Sequence, residues 1–117
     1  MASLERLEYY RDYFNKQIGQ RYPCSNQIVI CGIITKSEDK AERFMKNEDV
    51  VSEKHSWFGR EWLLNNGERW VWHRHINQNC RGYRYHKIAV DVEIDDELLD
   101  LVVLPYCNIY CCSFEII

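Results

Sequence analysis

The chain has 117 residues and a formal net charge of −3. Its length suits a single domain spanning residues 1–117, and 46% hydrophobic with 28% charged residues is typical of a globular rather than a disordered protein. The acidic balance argues against general nucleic-acid binding, and no apolar run approaches the roughly 18 residues of a membrane span.

The first predicted element is a helix over residues 3–18. Ser3 suits the N-cap, Glu5 lies in the first turn, and Gly19 is a natural end. Large side chains recur at helical spacing: Leu4, Leu7, Arg11, Phe14 and Ile18. Three tyrosines widen this face, and we expect them to pack in the core, with a partner surface as the alternative: Tyr9, Tyr10 and Tyr13.

A buried strand and a short helix follow. Residues 27–35 form a nearly continuous apolar run rich in β-branched side chains, which predicts a strand buried on both faces. Ser37 is placed to cap a helix over residues 38–46, with Glu38 and Asp39 near its positive end.

The middle of the chain predicts a hairpin. Residues 50–56 fit either a strand or a loop, whereas 57–64 and 68–76 flank the turn Asn65-Asn66-Gly67. An Asn-Gly pair supplies the positive φ angles of a tight hairpin turn. Four side chains share one face of the return strand: Trp70, Trp72, Arg74 and Ile76.

The last third predicts a turn over 77–82, a strand over 83–92, a helix from Asp95 to about residue 103, and a final strand over 106–117. Arg84 and His86 are expected at a wet rim or pocket. The final strand is so apolar that we expect it to be central or covered by a second subunit, which favours a homo-oligomer.

The predicted fold class is α+β: an antiparallel or mixed sheet with an N-terminal helix and two short helices.

Charge is sorted into blocks along the sequence. Residues 69–87 carry the basic side chains Arg69, Arg74, Arg81, Arg84 and Lys87, whereas residues 91–100 are acidic. The start of a helix explains the acidic block, because carboxylates stabilise the positive end of the helix dipole. The basic block is interleaved with aromatic residues, which indicates a site for an anionic ligand.

Metal binding and catalysis have weaker support. The six cysteines lack the paired C-x2-C spacing of a structural zinc site, and no signal peptide precedes them, so we expect free thiols in a reducing cytoplasm. Phosphate-binding glycine loops and the G-x-S-x-G motif are absent from the sequence. We therefore expect no metal, no cofactor and no catalytic residue; the alternative is a small phosphodiesterase acting through His73, His75 or His86.

Binding without chemistry fits the residues better. Arginine pairs with phosphate, aromatic rings stack on bases, and Asn77 and Asn79 suit a base edge or a ribose hydroxyl. The basic and aromatic candidates are Arg60, Arg69, Arg81, Arg84, Lys87, Trp57, Trp70, Trp72, Tyr83 and Tyr85. Arginines that alternate with aromatic residues also occur on ordinary solvated sheet faces, where they make cation–π contacts.

The N-terminal helix, the NGERWVW hairpin and the RGYRYHKIAV strand resemble the phage Thoeris anti-defence sponge family over roughly residues 57–92. This resemblance implies a symmetric oligomer in the host cytosol that sequesters a cyclic ADP-ribose isomer or a cyclic oligonucleotide without cleaving it. It also implies phosphate contacts from Arg60, Arg81, Arg84 and Lys87, and stacking by Trp57, Trp72 and Tyr83.

A protein–protein inhibitor, such as an anti-CRISPR protein, is the competing class. In that case the acidic block at 91–100 would imitate a phosphate backbone on an exposed face. Replacing Arg84 by alanine separates the two, because it should abolish ligand binding and leave inhibition of a protein partner intact.

Overall fold

The computed structural model describes residues 3–16, 29–74, 85–100 and 113–117. Its helices are α1 (Leu4–Asn15), α2 (Glu38–Met45) and the short α3 (Asp96–Leu98). Its strands are β1 (Ile30–Ile34), β2 (Val50–Ser56), β3 (Gly59–Leu64), β4 (Arg69–His73), β5 (Lys87–Val90) and β6 (Ser113–Ile116). The α+β class with a mixed sheet is confirmed.

The six strands form one sheet in the order β2-β3-β4-β1-β5-β6. Strands β2, β3 and β4 are antiparallel neighbours, whereas β4, β1, β5 and β6 run parallel to one another. The central position of β1 accounts for its continuous apolar sequence, because helices or side chains cover both of its faces. The ambiguous stretch 50–56 is a strand at one edge of this sheet.

The two faces of the sheet carry two separate cores. Beneath α2, the core contains Cys31, Ile33, Ala41, Met45, Trp62, Leu64, Trp70, Trp72 and Ala89. The opposite face packs against α1 and contains Leu7, Ile34, Tyr85, Ile88, Val90, Ile94, Leu99 and Phe114. The predicted alternation along β4 is confirmed, since Trp70 and Trp72 lie on the α2 face.

Both predicted helix starts at Ser3 and Ser37 are confirmed. The Ser3 hydroxyl accepts from the Arg6 amide at 3.2 Å, and the Ser37 hydroxyl accepts from the Lys40 amide at 3.2 Å. The last helix also begins as predicted, with Asp95 at the N-cap position, but the Asp95 side chain makes no capping bond and instead pairs with Lys36 at 2.7 Å. The first helix ends at Asn15, with Lys16 as its C-cap, which is earlier than the predicted end at residue 18. The predicted end of the last helix, near residue 103, lies outside the described residues.

The β3–β4 hairpin forms as predicted, but its turn differs. Within this turn only Gly67 has a positive φ, at +91°, so Asn66 does not take the second positive φ of a two-residue turn. The Gly67 amide donates to the Leu64 carbonyl at 3.0 Å, and the Leu64 amide donates to the Glu68 carbonyl at 2.9 Å. The connection is therefore a three-residue loop that ends in a glycine.

Strand β5 is shorter than predicted and alternates differently. Strict alternation along the predicted strand 83–92 places Tyr85 on the same face as Lys87 and Ala89, yet its ring lies in the opposite core. Gly32 makes this possible, because a Cβ at that position would lie 2.7 Å from the Tyr85 ring. His86 is only 7% exposed, and its Nδ1 accepts from the Ile30 amide at 3.2 Å, so it does not reach a wet rim.

Strand β6 lies at the edge of the described sheet rather than at its centre. Phe114 is buried, and its ring stacks on Phe14 of α1 at a centroid distance of 5.7 Å. The first helix thus covers this strand within the described chain, which removes the argument that a second subunit must do so. The homo-oligomer stays a prediction.

The tyrosines of α1 are less buried than expected. Tyr9 is 66% exposed and Tyr13 is 49% exposed, so the prediction that they pack in the core is wrong for these two. Tyr10 packs against the core, with its ring edge-on to Tyr9. Two of the three aromatic rings fall outside the buried stripe because Leu7 and Phe14 define its direction.

Candidate functional site

The carboxyl ends of three parallel strands meet at one edge of the sheet. Strand β1 lies between β4 and β5, and all three point the same way. After β1 the chain moves toward β2 on one side of the sheet, whereas after β5 it moves toward β6 on the other. In open α/β sheets such a reversal forms a crevice in which ligands bind.

The turn between β2 and β3 reaches the same edge, because Gly59 pairs with His73 at the end of β4. Trp57 is 76% exposed and Phe58 is 60% exposed, and we call these two residues the aromatic tip. The Phe58 carbonyl accepts from the Arg74 amide at 2.8 Å. Gly59 has a φ of +153°, and a Cβ there would lie 1.9 Å from the Trp72 carbonyl oxygen, so only glycine allows this close approach.

Arg74 is held next to the aromatic tip by its backbone, and its guanidinium lies on the α2 face of the sheet. Its Cζ lies 5.3 Å from the centroid of the Trp72 ring, which is cation–π distance. Its side chain is 40% exposed, and its Nη1 lies 3.4 Å from a Glu38 carboxylate oxygen. This ion pair is longer than a direct hydrogen bond, so Arg74 keeps donors available for a second anion.

A pocket of about 350 Å³ opens next to the aromatic tip. Its lining residues come from β2, β3 and β4: Lys54, His55, Ser56, Phe58, Gly59, Arg60, Glu61, Val71, Trp72 and His73. Two cationic side chains and one carboxylate therefore line a volume within the range of small-molecule sites. We call this pocket the tip pocket.

His73 lies in the wall of the tip pocket and is 3% exposed. Burial lowers its pKa to about 4, because the charged imidazolium loses its hydration there. The imidazole is therefore neutral at pH 7. Burial also lowers the pKa of His86, with a smaller opposing effect from its bond to Ile30.

Arg60, a predicted phosphate contact, lies on the α2 face with its side chain 5% exposed. It forms ion pairs with Glu53, with Glu42 at 3.4 Å and with Glu38 at 3.7 Å. Its Cζ also stacks on the Trp62 ring at 4.9 Å. Three carboxylates thus surround this guanidinium and balance its charge.

The other described basic candidates also face carboxylates. Arg69 lies on the face opposite α2 and pairs with Glu61 at 2.9 Å. Lys87 pairs with Glu68, whose side chain is 9% exposed and whose pKa is lowered by this ammonium group despite the cost of burial. The structure does not bring Arg60, Arg69 and Lys87 together.

The predicted aromatic candidates have different environments. Trp72 is 2% exposed, and its Nε1 donates to the Thr35 carbonyl at 2.8 Å. Its ring therefore packs beneath the Arg74 guanidinium and is not open for a ligand base to stack on. Trp57 is exposed at the tip, as a stacking role requires. Five predicted ligand contacts and His75 lie outside the described residues: Asn77, Asn79, Arg81, Tyr83 and Arg84.

A second, larger groove of about 980 Å³ runs between α2 and β2. Five carboxylates and three cations line it, together with Met45, Val50 and Trp62. Its negative balance disfavours an anionic ligand, so the tip pocket is the better candidate for a phosphate-bearing molecule.

The acidic block contributes ion pairs at the same sheet edge. Asp91, after β5, accepts from the Thr35 hydroxyl at 2.6 Å and from the Lys40 ammonium at 2.6 Å. These contacts keep the pKa of Asp91 below its ordinary value, although burial opposes them. Each carboxylate oxygen has a partner, so the network ties β1, β5 and α2 together.

Sequence reasoning missed Phe58, Lys54 and the role of Arg74. Two adjacent aromatic residues before a glycine, in a turn between exposed strands, were the available signal. The closeness of Arg74 to this turn depends on the β3–β4 register, which no local pattern specifies. Thr35 and Lys40 were missed for the same reason.

Over the described ranges, no helix is long and apolar enough to cross a membrane, and no group of three or more metal-ligating side chains is present. Comparisons of the chain with protein-family models, with curated proteins and with solved structures find no match.

Proposed function

We propose that the protein binds a small, anionic, nucleotide-type ligand at the aromatic tip and its pocket, and sequesters it without cleaving it. The ligand class is that implied by the Thoeris sponge resemblance: a cyclic ADP-ribose isomer or a cyclic oligonucleotide.

The observation that carries this proposal is the position of Arg74, whose backbone amide bonds to the Phe58 carbonyl at the exposed aromatic tip. Exposed aromatic rings offer faces for base stacking, worth about 1–3 kcal/mol per base. A neighbouring guanidinium offers a planar pair of donors for a phosphate. Lys54 in the lining of the tip pocket adds a further positive charge near this edge.

Of the three histidines in the phosphodiesterase alternative, the two that the structure describes favour binding over phosphodiester cleavage. A general acid or base needs a pKa near the working pH and contact with the reacting group. His73 is buried with a pKa of about 4, and His86 is 7% exposed with a lowered pKa. Neither matches the alternative phosphodiesterase role.

The acidic inhibitor alternative has less support, because most carboxylates of that block are paired. Asp95 contacts Lys36, while Asp96 and Asp100 both contact Arg6 of α1. Two cations thereby offset part of the negative charge of these three carboxylates, whereas a phosphate mimic needs an open row of negative charge.

Native mass spectrometry with cyclic ADP-ribose and a cyclic dinucleotide tests the proposal. The matched variants are Arg74→Ala and Arg11→Ala, since both arginine side chains are 40% exposed. We expect wild type and Arg11→Ala to retain intact ligand and Arg74→Ala to bind about tenfold more weakly, as expected for a charge-assisted hydrogen bond.

The same spectra give the number of subunits and so test the expected homo-oligomer. No ligand mass on the wild type, or equal binding by the two variants, would contradict the proposed site. A released ligand of altered mass would identify an enzyme.

A further inference from the structure

Glu38 is shared between two arginines at the start of α2. One carboxylate oxygen lies 3.4 Å from the Arg74 Nη1, and the other lies 3.7 Å from the Arg60 Nη1. The Glu38 side chain is 35% exposed, so it stands at the boundary between the sheet and solvent.

These two contacts are loose compared with the other ion pairs at this edge. Lys40 and Asp91 are 2.6 Å apart, and Lys36 and Asp95 are 2.7 Å apart. Both of those are direct, charge-assisted hydrogen bonds. Glu38, by contrast, is attracted to both arginines by charge but forms no short, direct hydrogen bond with either of them.

The two arginines depend on Glu38 to different degrees. Arg60 also has Glu53 and Glu42 beside it, and its side chain is 5% exposed. Arg74 is 40% exposed and lies at the aromatic tip. A ligand that approaches from solvent therefore meets Arg74, with Glu38 as the competing anion.

We infer that Glu38 occupies the position of the ligand's anionic group and is displaced from Arg74 when the ligand binds. This inference rests on the proposed function and adds a specificity determinant to it. A phosphate presents several oxygens and forms bidentate hydrogen bonds with a guanidinium, which a carboxylate at 3.4 Å does not. The site consequently selects phosphorylated ligands and discriminates against uncharged nucleosides.

The charge of Glu38 should therefore weaken anion binding. Replacing Glu38 by glutamine keeps the shape of the side chain and removes the competing charge. Glu42→Gln is the matched control, because Glu42 lies one turn further along α2, is 59% exposed, and contacts Arg60 rather than Arg74. Both substitutions remove one negative charge from the same helix.

The experiment titrates pyrophosphate into each protein and follows the Arg74 side-chain Nε–H by NMR. In parallel, it measures cyclic ADP-ribose and adenosine by calorimetry. We expect Glu38→Gln to bind pyrophosphate about fivefold more tightly than the wild type, which is the effect of one partly exposed charge pair. Glu42→Gln should match the wild type, and adenosine binding should be the same in all three proteins.

Equal or weaker pyrophosphate binding by Glu38→Gln would overturn the inference, as would the same gain in Glu42→Gln. If wild type binds cyclic ADP-ribose while Glu38→Gln shows no gain for either anion, the inference fails and the proposed function stands. If pyrophosphate shows the fivefold difference and no protein binds a cyclic nucleotide, the anion site stands and the nucleotide assignment fails.

Discussion

The side-chain amide of Asn15 forms two hydrogen bonds with the backbone of Phe114. Its Nδ2 donates to the Phe114 carbonyl at 3.3 Å, and its Oδ1 accepts from the Phe114 amide at 2.8 Å. A neighbouring strand would offer the same donor and acceptor. Asn15 therefore satisfies part of the outer edge of β6 in the described sheet and fixes the end of α1 on the sheet, which limits edge-to-edge pairing with other molecules.

Replacing Asn15 by alanine should destabilise the protein and expose this edge. Two lost hydrogen bonds at a partly buried position predict about 1–3 kcal/mol less free energy of unfolding. Urea denaturation measures this loss, and analytical ultracentrifugation detects any new self-association. Asn47→Ala is the control, since Asn47 is exposed. Equal stabilities for the two variants would show that the edge contact contributes nothing.

The free energy of unfolding should decrease as the pH is lowered, because His73 is buried in its neutral form. Its pKa is about 4 in the folded state and 6.5 ordinarily, so the unfolded chain takes up a proton first as pH decreases. The contribution of neutral His73 to the free energy of unfolding is therefore complete above pH 6.5. It is lost as the pH falls toward 4, by up to about 3 kcal/mol. His86 acts in the same direction. Between pH 7 and pH 4, the free energy of unfolding of His73→Gln should change less with pH than that of the wild type. An equal pH dependence in the two proteins would refute this role of His73.

Gly32 should not tolerate a side chain while Tyr85 is present. An added Cβ would lie 2.7 Å from the Tyr85 ring, whose side chain is fully buried, so the ring must shift. We expect Gly32→Ala to lower stability by about 1–3 kcal/mol. A double-mutant cycle with Tyr85→Leu tests the cause, because the alanine should be less harmful once the ring is gone. Simple additivity of the two effects would contradict the explanation.

Lys87 was a predicted phosphate contact, but its contact with Glu68 indicates a structural role. Lys87→Ala leaves a 91% buried carboxylate without its ammonium partner, and we expect a loss of about 1–3 kcal/mol in stability. The affinity for cyclic ADP-ribose should stay unchanged. Adding Glu68→Gln should recover part of the stability, because no buried charge then remains. A stable Lys87→Ala protein with weakened ligand binding would restore the original assignment.

Much of the fold follows from local sequence features. The caps at Ser3 and Ser37, the apolar run of β1, and the alternation along β4 depend on neighbouring residues and are confirmed. Simple alternation misplaces Tyr85, and it does not reveal that α1 covers β6, because both positions depend on distant partners, Gly32 and Asn15. A side-chain period cannot reveal such partners.

The types of residue at the candidate site could be predicted from the sequence, but the particular residues that form the site could be predicted less well. Trp57 was identified from its residue type, and it is exposed, as a stacking role requires. Arg60 and Lys87 have the same chemistry in the sequence, yet glutamates from other elements neutralise them. Strand register determines these pairings, and it cannot be read from residue type.

The most direct test of the central claim is an NMR titration of the ¹⁵N-labelled wild-type protein with cyclic ADP-ribose. Ligand binding at the aromatic tip predicts the largest amide shifts at Phe58, Gly59, His73 and Arg74, with intact ligand in solution throughout. No shifts, or shifts centred on the acidic groove around Glu42 and Glu53, would contradict this account.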